Sequence, residues 1–405
     1  MRKGVASRGT KVAVSTAATM WLLAVALVLA IGVTTAMDIT CPPAFFSFGT
    51  SLSDTGNRAH VDLPVKDFSQ LPPYGVPYFG VPSNRFSDGR LILDFFASAF
   101  GFPFIEPFLT DDAPDYTRGV NFAFSGALAL PYGVPYYFEV QVSQFATFKA
   151  RALSSHTFTS DYPGLDKFDQ GMYMVFFGRN DFTDAYGMQN LTTSEVLKRI
   201  VPLLVRVIVD HVQELYDDGA RTFMVFNVNP QGCQPQYLTL FADRHSERDS
   251  NGCLAAYNRV IRIFNSRLWK AVQNLRKTLP DSMIFYADFY GVTKQVLDHP
   301  KEYGFAPDKT LVACCVIGGE YKYDPPRRCG TRGMVNGQWV DESKACSRPS
   351  DHVSWDGVHF TEAFYKHVAT QLLTGRFLDP PVDFLKTCNL DFTPFNQPHA
   401  ALYSR

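Results

Sequence analysis

Charge is sparse in this chain. Only 19% of its 405 residues are Asp, Glu, Lys or Arg, and they nearly cancel to a net −1. There is no basic stripe, so nothing in the sequence attracts a nucleic-acid partner. Gly-x-Gly-x-x-Gly and Walker runs are missing, which removes the glycine-rich cradle that a nucleotide phosphate needs. No cysteine or histidine set has the four-ligand spacing of a structural zinc site, and no metal ligand is assigned. Gly-x-Ser-x-Gly is absent too, which argues against the ordinary α/β-hydrolase presentation of a serine nucleophile. The chain also lacks internal repeats and long Gly/Ser linkers. With 46% hydrophobic residues it has ample apolar surface for one large core.

One long apolar run does occur, at the N-terminus. Arg2, Lys3, Arg8 and Lys11 precede an uncharged stretch from Met20 to Val33, and Thr34-Thr35-Ala36 supplies small residues for cleavage. This pattern predicts a signal peptide over residues 1–36, followed by a single domain over residues 37–405. The alternative is an uncleaved anchor, since the uncharged run begins at Val12. Either reading places the globular part outside the cytosol. No second long apolar segment follows, so no stable membrane span is expected after cleavage.

The 8 cysteines are even in number. Behind a leader this favours disulfides over metal ligation. Cys233 and Cys253 bracket a polar loop as a plausible local pair. Cys314, Cys315, Cys329 and Cys346 cluster shortly before an Asp/His motif, where bridges would stiffen the loop carrying it. Asn190-Leu191-Thr192 is a sequon for N-glycosylation.

Apolar runs and helical spacings alternate along the chain. Strands are expected at Ala44–Phe48, Met172–Phe177, Thr222–Phe226 and Met283–Ala287. Helices are expected at Leu91–Phe100 with Asp88 as N-cap, at Ser194–Tyr216, Leu254–Leu279 and Thr361–Leu373. This order predicts an α/β fold with a mostly parallel sheet covered on both faces, and a site outside the carboxyl ends of its strands. The Pro- and Tyr-rich segment from Asp62 to Asn84 reads as a loop bordering that site, with Tyr74, Tyr78 and Phe79 available to stack on sugars or cover a lipid tail.

Two of these strand ends carry chemistry. Phe45-Phe46-Ser47-Phe48 runs into Gly49-Thr50-Ser51, presenting the Ser51 hydroxyl at the rim of the sheet. Such a hydroxyl needs a base and oxyanion donors before it can act as a nucleophile. Trp355-Asp356-Gly357-Val358-His359 supplies a candidate base, His359, with Asp356 placed to orient it. His352 is the rival base. Asn180, in the turn after the second strand, can donate from its amide, and Gly126 can bring a backbone N–H close to substrate. A glycosidase with paired carboxylates has only scattered acids such as Asp54 and Asp356 in its favour.

Taken in order, these blocks resemble the plant-type GDSL esterase/lipase family of SGNH hydrolases. They are Phe48-Gly49-Thr50-Ser51-Leu52-Ser53-Asp54-Thr55-Gly56-Asn57, Gly119-Val120-Asn121-Phe122-Ala123 with Gly126, Gly178-Arg179-Asn180-Asp181, and Ser354-Trp355-Asp356-Gly357-Val358-His359. The resemblance implies a three-layer α/β/α sandwich with a flavodoxin-like sheet, and a hydrolase that forms an acyl-serine without cofactor or metal. Carried over by motif, Ser51, Asp356 and His359 form the triad, and Ser51, Gly126 and Asn180 the oxyanion hole. The implied substrates are carboxylic esters of small molecules, lipids or polysaccharides, met outside the cell in the wall or apoplast. An acyltransferase using the same triad, or an inactive glycan- or cell-wall-binding homologue, is the alternative.

Two positions depart from the family pattern. Thr50 stands where the name motif has Asp. Arg179 stands where a small residue is common, and a long cation there predicts either a preference for acidic or sugar-linked substrates or a crowded oxyanion hole.

Overall fold

Phe45–Gly49 forms β1, and its side chains alternate between two buried layers although the sequence run is continuously apolar. Phe46 and Phe48 turn to one face, where they meet Phe145 and Tyr173. Phe45 turns to the other and meets Phe96, Phe100 and Phe102. The strand is therefore sandwiched, as a central parallel strand requires.

This computed structural model describes residues 40–61, 66–110, 113–155, 161–243, 246–315, 318–335, 338–341 and 344–398, besides Met1 and Gly4. The expected signal peptide over 1–36 otherwise lies outside the described residues. The chain from Thr40 onward is one compact unit. No helix among the described residues is long and apolar enough to cross a membrane.

The elements follow in the order α1 (Ile92–Ala99), β2 (Gly119–Asn121), α2 (Phe138–Ser155), β3 (Met172–Phe176), α3 (Arg179–Gly187) and α4 (Val201–Asp217). Then come β4 (Thr222–Phe226), α5 (Ala255–Thr278), β5 (Met283–Ala287) and α6 (Phe289–Asp298). A hairpin of β6 (Arg332–Val335) and β7 (Gln338–Asp341), then α7 (Glu362–Leu373) and β8 (Leu378–Asp379), follow them. The main sheet has the order β2-β1-β3-β4-β5-β8. Its first five strands are parallel, with Phe45 opposite Met172 and Gly49 opposite Phe176, and β8 closes the edge antiparallel to β5. This is the flavodoxin-like order, and its switch point lies between β1 and β3. The three-layer α/β/α expectation holds.

The expected strands and long helices occur within a residue or two of their predicted ends. The helix from Ser194 passes without a break through a π-helical turn at Val196–Ile200 into α4, and Pro202, which has no N–H to donate, follows directly on that wider turn. Asp88 is not the cap of α1. Leu91 precedes that helix and its N–H donates to Asp94 at 2.8 Å, whereas Asp88 accepts the N–H of Glu362 at 2.7 Å at the start of α7. Asp88 thus ties the two helices together through a carboxyl that burial pushes up to about 7.

Candidate active site

The turn after β1 is held from several sides. The Thr50 carbonyl accepts the N–H groups of Ser53 and Asp54, both at 3.0 Å, which bends the chain sharply at Ser51. Thr50 itself is buried, so the position where the name motif has Asp still closes the turn through its backbone. Gln141, reaching in from α2, accepts from Gly49 N–H at 2.9 Å and donates to the Gly49 carbonyl at 2.9 Å. A β-carbon on Gly49 would approach the Phe176 carbonyl to 3.0 Å, so a glycine suits this close strand contact.

Asp54 links this turn to the segment carrying Gly126. One carboxyl oxygen accepts Gly56 N–H at 2.8 Å, and the other accepts Arg58 N–H at 3.1 Å and Ser125 N–H at 2.7 Å. Burial raises its pKa to about 6 despite these donors. Asn121 reinforces the link, donating to the Ser53 carbonyl at 2.6 Å and to Thr55 Oγ1 at 2.9 Å. Gly126 has φ 86°, the left-handed region that glycine enters at little cost. Asn180, at the start of α3, donates to the Ala127 carbonyl at 2.8 Å. Ser51, Gly126 and Asn180 are thereby connected through their immediate neighbours. Among the described residues, the N–H groups of Ser51 and Gly126 have no hydrogen-bond partner. Asn180 keeps a second amide hydrogen.

The Asp/His segment is a tight turn closed by Trp355 N–H donating to the His359 carbonyl at 2.8 Å. Gly357 turns it with φ 89°, and a β-carbon there would lie 2.3 Å from the Tyr323 ring. Within the turn, Asp356 Oδ1 accepts the N–H groups of Val358 at 2.9 Å and His359 at 2.6 Å. Asp356 Oδ2 accepts His359 Nδ1–H at 2.6 Å and the Tyr74 hydroxyl at 2.8 Å. The far ring nitrogen, Nε2, lies 2.8 Å from Ser51 Oγ. Burial opposes ionisation of Asp356, but His359 and these hydrogen bonds prevail and hold its pKa well below the usual carboxylate range. A hydroxyl, an imidazole and an ionised carboxylate thus lie in one hydrogen-bonded line, the arrangement required for serine nucleophilic catalysis.

Disulfides brace that turn. The Cys314 and Cys315 N–H groups donate to the carbonyls of Ser354 and Trp355 at 3.0 and 2.7 Å. Cys314 is bonded to Cys346 and Cys315 to Cys329. Cys233–Cys253 is present as expected, and Cys41–Cys388 joins the two ends of the domain. His352, the rival base, is buried away from Ser51 with Nδ1 3.0 Å from the Val312 carbonyl. Asn190 is exposed in the turn beyond α3, while Thr192 of its sequon caps the next helical turn.

Two expectations are corrected. Arg179 does not face a substrate: it is buried, and its guanidinium donates to Gln234 and to the Val358 carbonyl, the residue before His359. Burial lowers its pKa, with Tyr237, Tyr365 and Asp356 acting against that. Tyr74 is no platform for sugar or lipid, since it is buried against Phe86 and Trp355 with its hydroxyl on Asp356. The contacts of Tyr74 with Asp356, of Gln141 with Gly49 and of Asp54 with Ser125 were not visible in the sequence, because each joins residues distant in the chain.

The GDSL-like Lipase/Acylhydrolase family model matches residues 45–372. An esterase of Hevea brasiliensis is 36% identical over 364 residues, covering 86% of this chain and 90% of the relative. The GDSL esterase/lipase ACHE of Zea mays is 35% identical over 361 residues, covering 86% and 89%. Alpha-L-fucosidase 3 of Arabidopsis thaliana is 33% identical over 346 residues, covering 82% and 90%. The chain belongs to the GDSL-like lipase/acylhydrolase family, hydrolases that act on ester bonds.

Proposed function

We propose that the protein is a secreted serine esterase that cleaves carboxylic esters through an acyl-serine. The observation that carries this reading is the 2.8 Å contact between His359 Nε2 and Ser51 Oγ, with Asp356 behind the ring. Ser51 Oγ attacks the ester carbonyl while Nε2 takes its proton. The ionised Asp356 stabilises the imidazolium. The oxyanion is received by the free N–H groups of Ser51 and Gly126 and by the Asn180 amide. His359 then protonates the departing alcohol and, in the second half, draws a proton from the water that releases the acid.

Two observations favour this over an inactive binding homologue. Thr50 leaves the nucleophile turn closed, and Arg179 is buried behind the His359 turn instead of filling the oxyanion hole. Glycoside hydrolysis finds less support, because Asp54 and Asp356 are both buried and committed to internal donors. Secretion is supported by the four disulfides, which require an oxidising compartment. An exposed Asn190 suits glycosylation there.

The test is turnover of short acyl esters, beginning with p-nitrophenyl acetate and butyrate. Ser51→Ala abolishes it without altering the fold. Asn180→Ala lowers kcat by about 10²–10³, the usual loss of one oxyanion donor. Wild-type rates in both variants would remove the assignment.

A further inference from the structure

A cleft of about 380 Å³ opens beside the carboxyl ends of β4 and β5, and its lining includes none of Ser51, Gly126, Asn180, Asp356 or His359. One wall is α5, where Arg262, Ser266 and Trp269 fall at helical spacing on a single face. The other is the start of α6 with Asp288 and Tyr290, and Tyr286 of β5 forms the floor. The volume suits a small ligand.

Trp269 is the unusual member. It is 42% exposed, yet its ring is held in place, since Nε1 donates to Asp379 Oδ2 at 2.7 Å. That carboxylate is itself fixed by Gln273 at 2.7 Å and Arg276 at 3.1 Å. An exposed indole held by the protein's own hydrogen bond is a preorganised apolar platform. Around it, the Arg262 guanidinium and the Ser266 and Tyr290 hydroxyls have no hydrogen-bond partner among the described residues. Asp288 Oδ1 is taken by Asn227 and Gly291, and among the described residues Oδ2 accepts no hydrogen bond.

The charges choose the ligand class. One cation and one anion share the rim, so an anionic ligand meets Asp288 and a cationic ligand meets Arg262. A neutral molecule with many hydroxyls uses both, donating to Asp288 and accepting from Arg262. Its C–H face packs on Trp269 and Tyr290. The geometry points to a binding site for a neutral oligosaccharide, independent of the proposed esterase chemistry.

The experiment titrates the secreted protein with neutral oligosaccharides of the gluco, xylo, manno and galacto series, and with acidic uronate oligomers. Saturation-transfer NMR and tryptophan fluorescence report binding to the wild type, Trp269→Ala, Arg262→Ala and Ser51→Ala. The expected result is saturable binding of at least one neutral series. Trp269→Ala weakens it by roughly tenfold or more, as for a buried aromatic anchor, and Ser51→Ala leaves it unchanged. Arg262→Ala weakens it as well. This exposed residue has no hydrogen-bond partner to lose among the described residues, so it decides the matter if Trp269→Ala does not fold. Binding of no neutral series, binding of acidic sugars only, or affinity unchanged by Arg262→Ala and any folded Trp269→Ala overturns the proposal.

Discussion

The Tyr74 hydroxyl and the His359 imidazole share one oxygen of Asp356, at 2.8 and 2.6 Å. Tyr74 lies 282 residues before Asp356, in the loop that sequence reasoning reserved for substrate contact. Its position makes it a clamp on the carboxylate. Tyr74→Phe is therefore expected to lower kcat for a short ester by about tenfold, the worth of one hydrogen bond to a charged group, with KM little changed. Steady-state kinetics check this. Rates within twofold of wild type would leave Tyr74 with a packing role alone.

Arg179 acts on the turn of His359 from below, through the Val358 carbonyl. Arg179→Met keeps the length of the side chain but leaves Val358 and Gln234 without their buried donor. A stability loss of about 1–3 kcal/mol follows, together with a lower kcat on neutral and anionic esters alike. Urea denaturation and a paired substrate set measure both. A loss confined to anionic esters would restore Arg179 to the substrate side.

The buried carboxyl of Asp88 gives a pH signature. Its pKa rises from 3.8 to about 7 on folding, chiefly by burial and then by the nearby Glu362. The folded state thus binds this proton more tightly than the unfolded chain. The associated stability is fully present below about pH 4 and is lost as pH rises toward 7. Asp88→Asn keeps an acceptor for Glu362 N–H and removes the titration. Relative to wild type, this variant gains stability between pH 4 and 7. Denaturation curves at several pH values test it, and a pH-independent difference contradicts it.

The Cys314–Cys346 and Cys315–Cys329 bridges support the segment that hydrogen-bonds Ser354 and Trp355. Mild reduction is expected to remove esterase activity at reductant levels where the far-ultraviolet circular dichroism is still native. Free-thiol counting identifies which bridges have opened. Full activity with both bridges reduced would show that the turn holds its geometry without them.

Local signals were readable where chemistry and chain order coincide. The apolar run ending at Ser51 and the close pair Asp356 and His359 announce themselves because each is a short motif with a stated role. The helix Phe138–Ser155 also leaves a signal, with Phe138, Val142, Phe145, Phe148 and Ala152 at helical spacing behind the breakers Gly133 and Pro135. Short β2 was hidden in its motif block, since three residues carry no periodicity. Asp88 looks like the cap of the helix next to it and instead accepts the first N–H of the helix beginning at Glu362, whose N-cap is Thr361. Tyr74 and Arg179 were misread for a common reason. A side chain rich in aromatic or charged surface suggests solvent or ligand, and only the tertiary fold turns it inward onto Asp356 or Val358.

The most direct test of the account is incubation of the folded, secreted protein with a fluorophosphonate, followed by peptide mapping with Ser51→Ala as control. Covalent labelling is expected at Ser51 alone and none in the variant, because the hydroxyl already lies 2.8 Å from His359 Nε2 with Asp356 behind the ring. Unlabelled Ser51 in folded protein, or labelling that persists in Ser51→Ala, would contradict it.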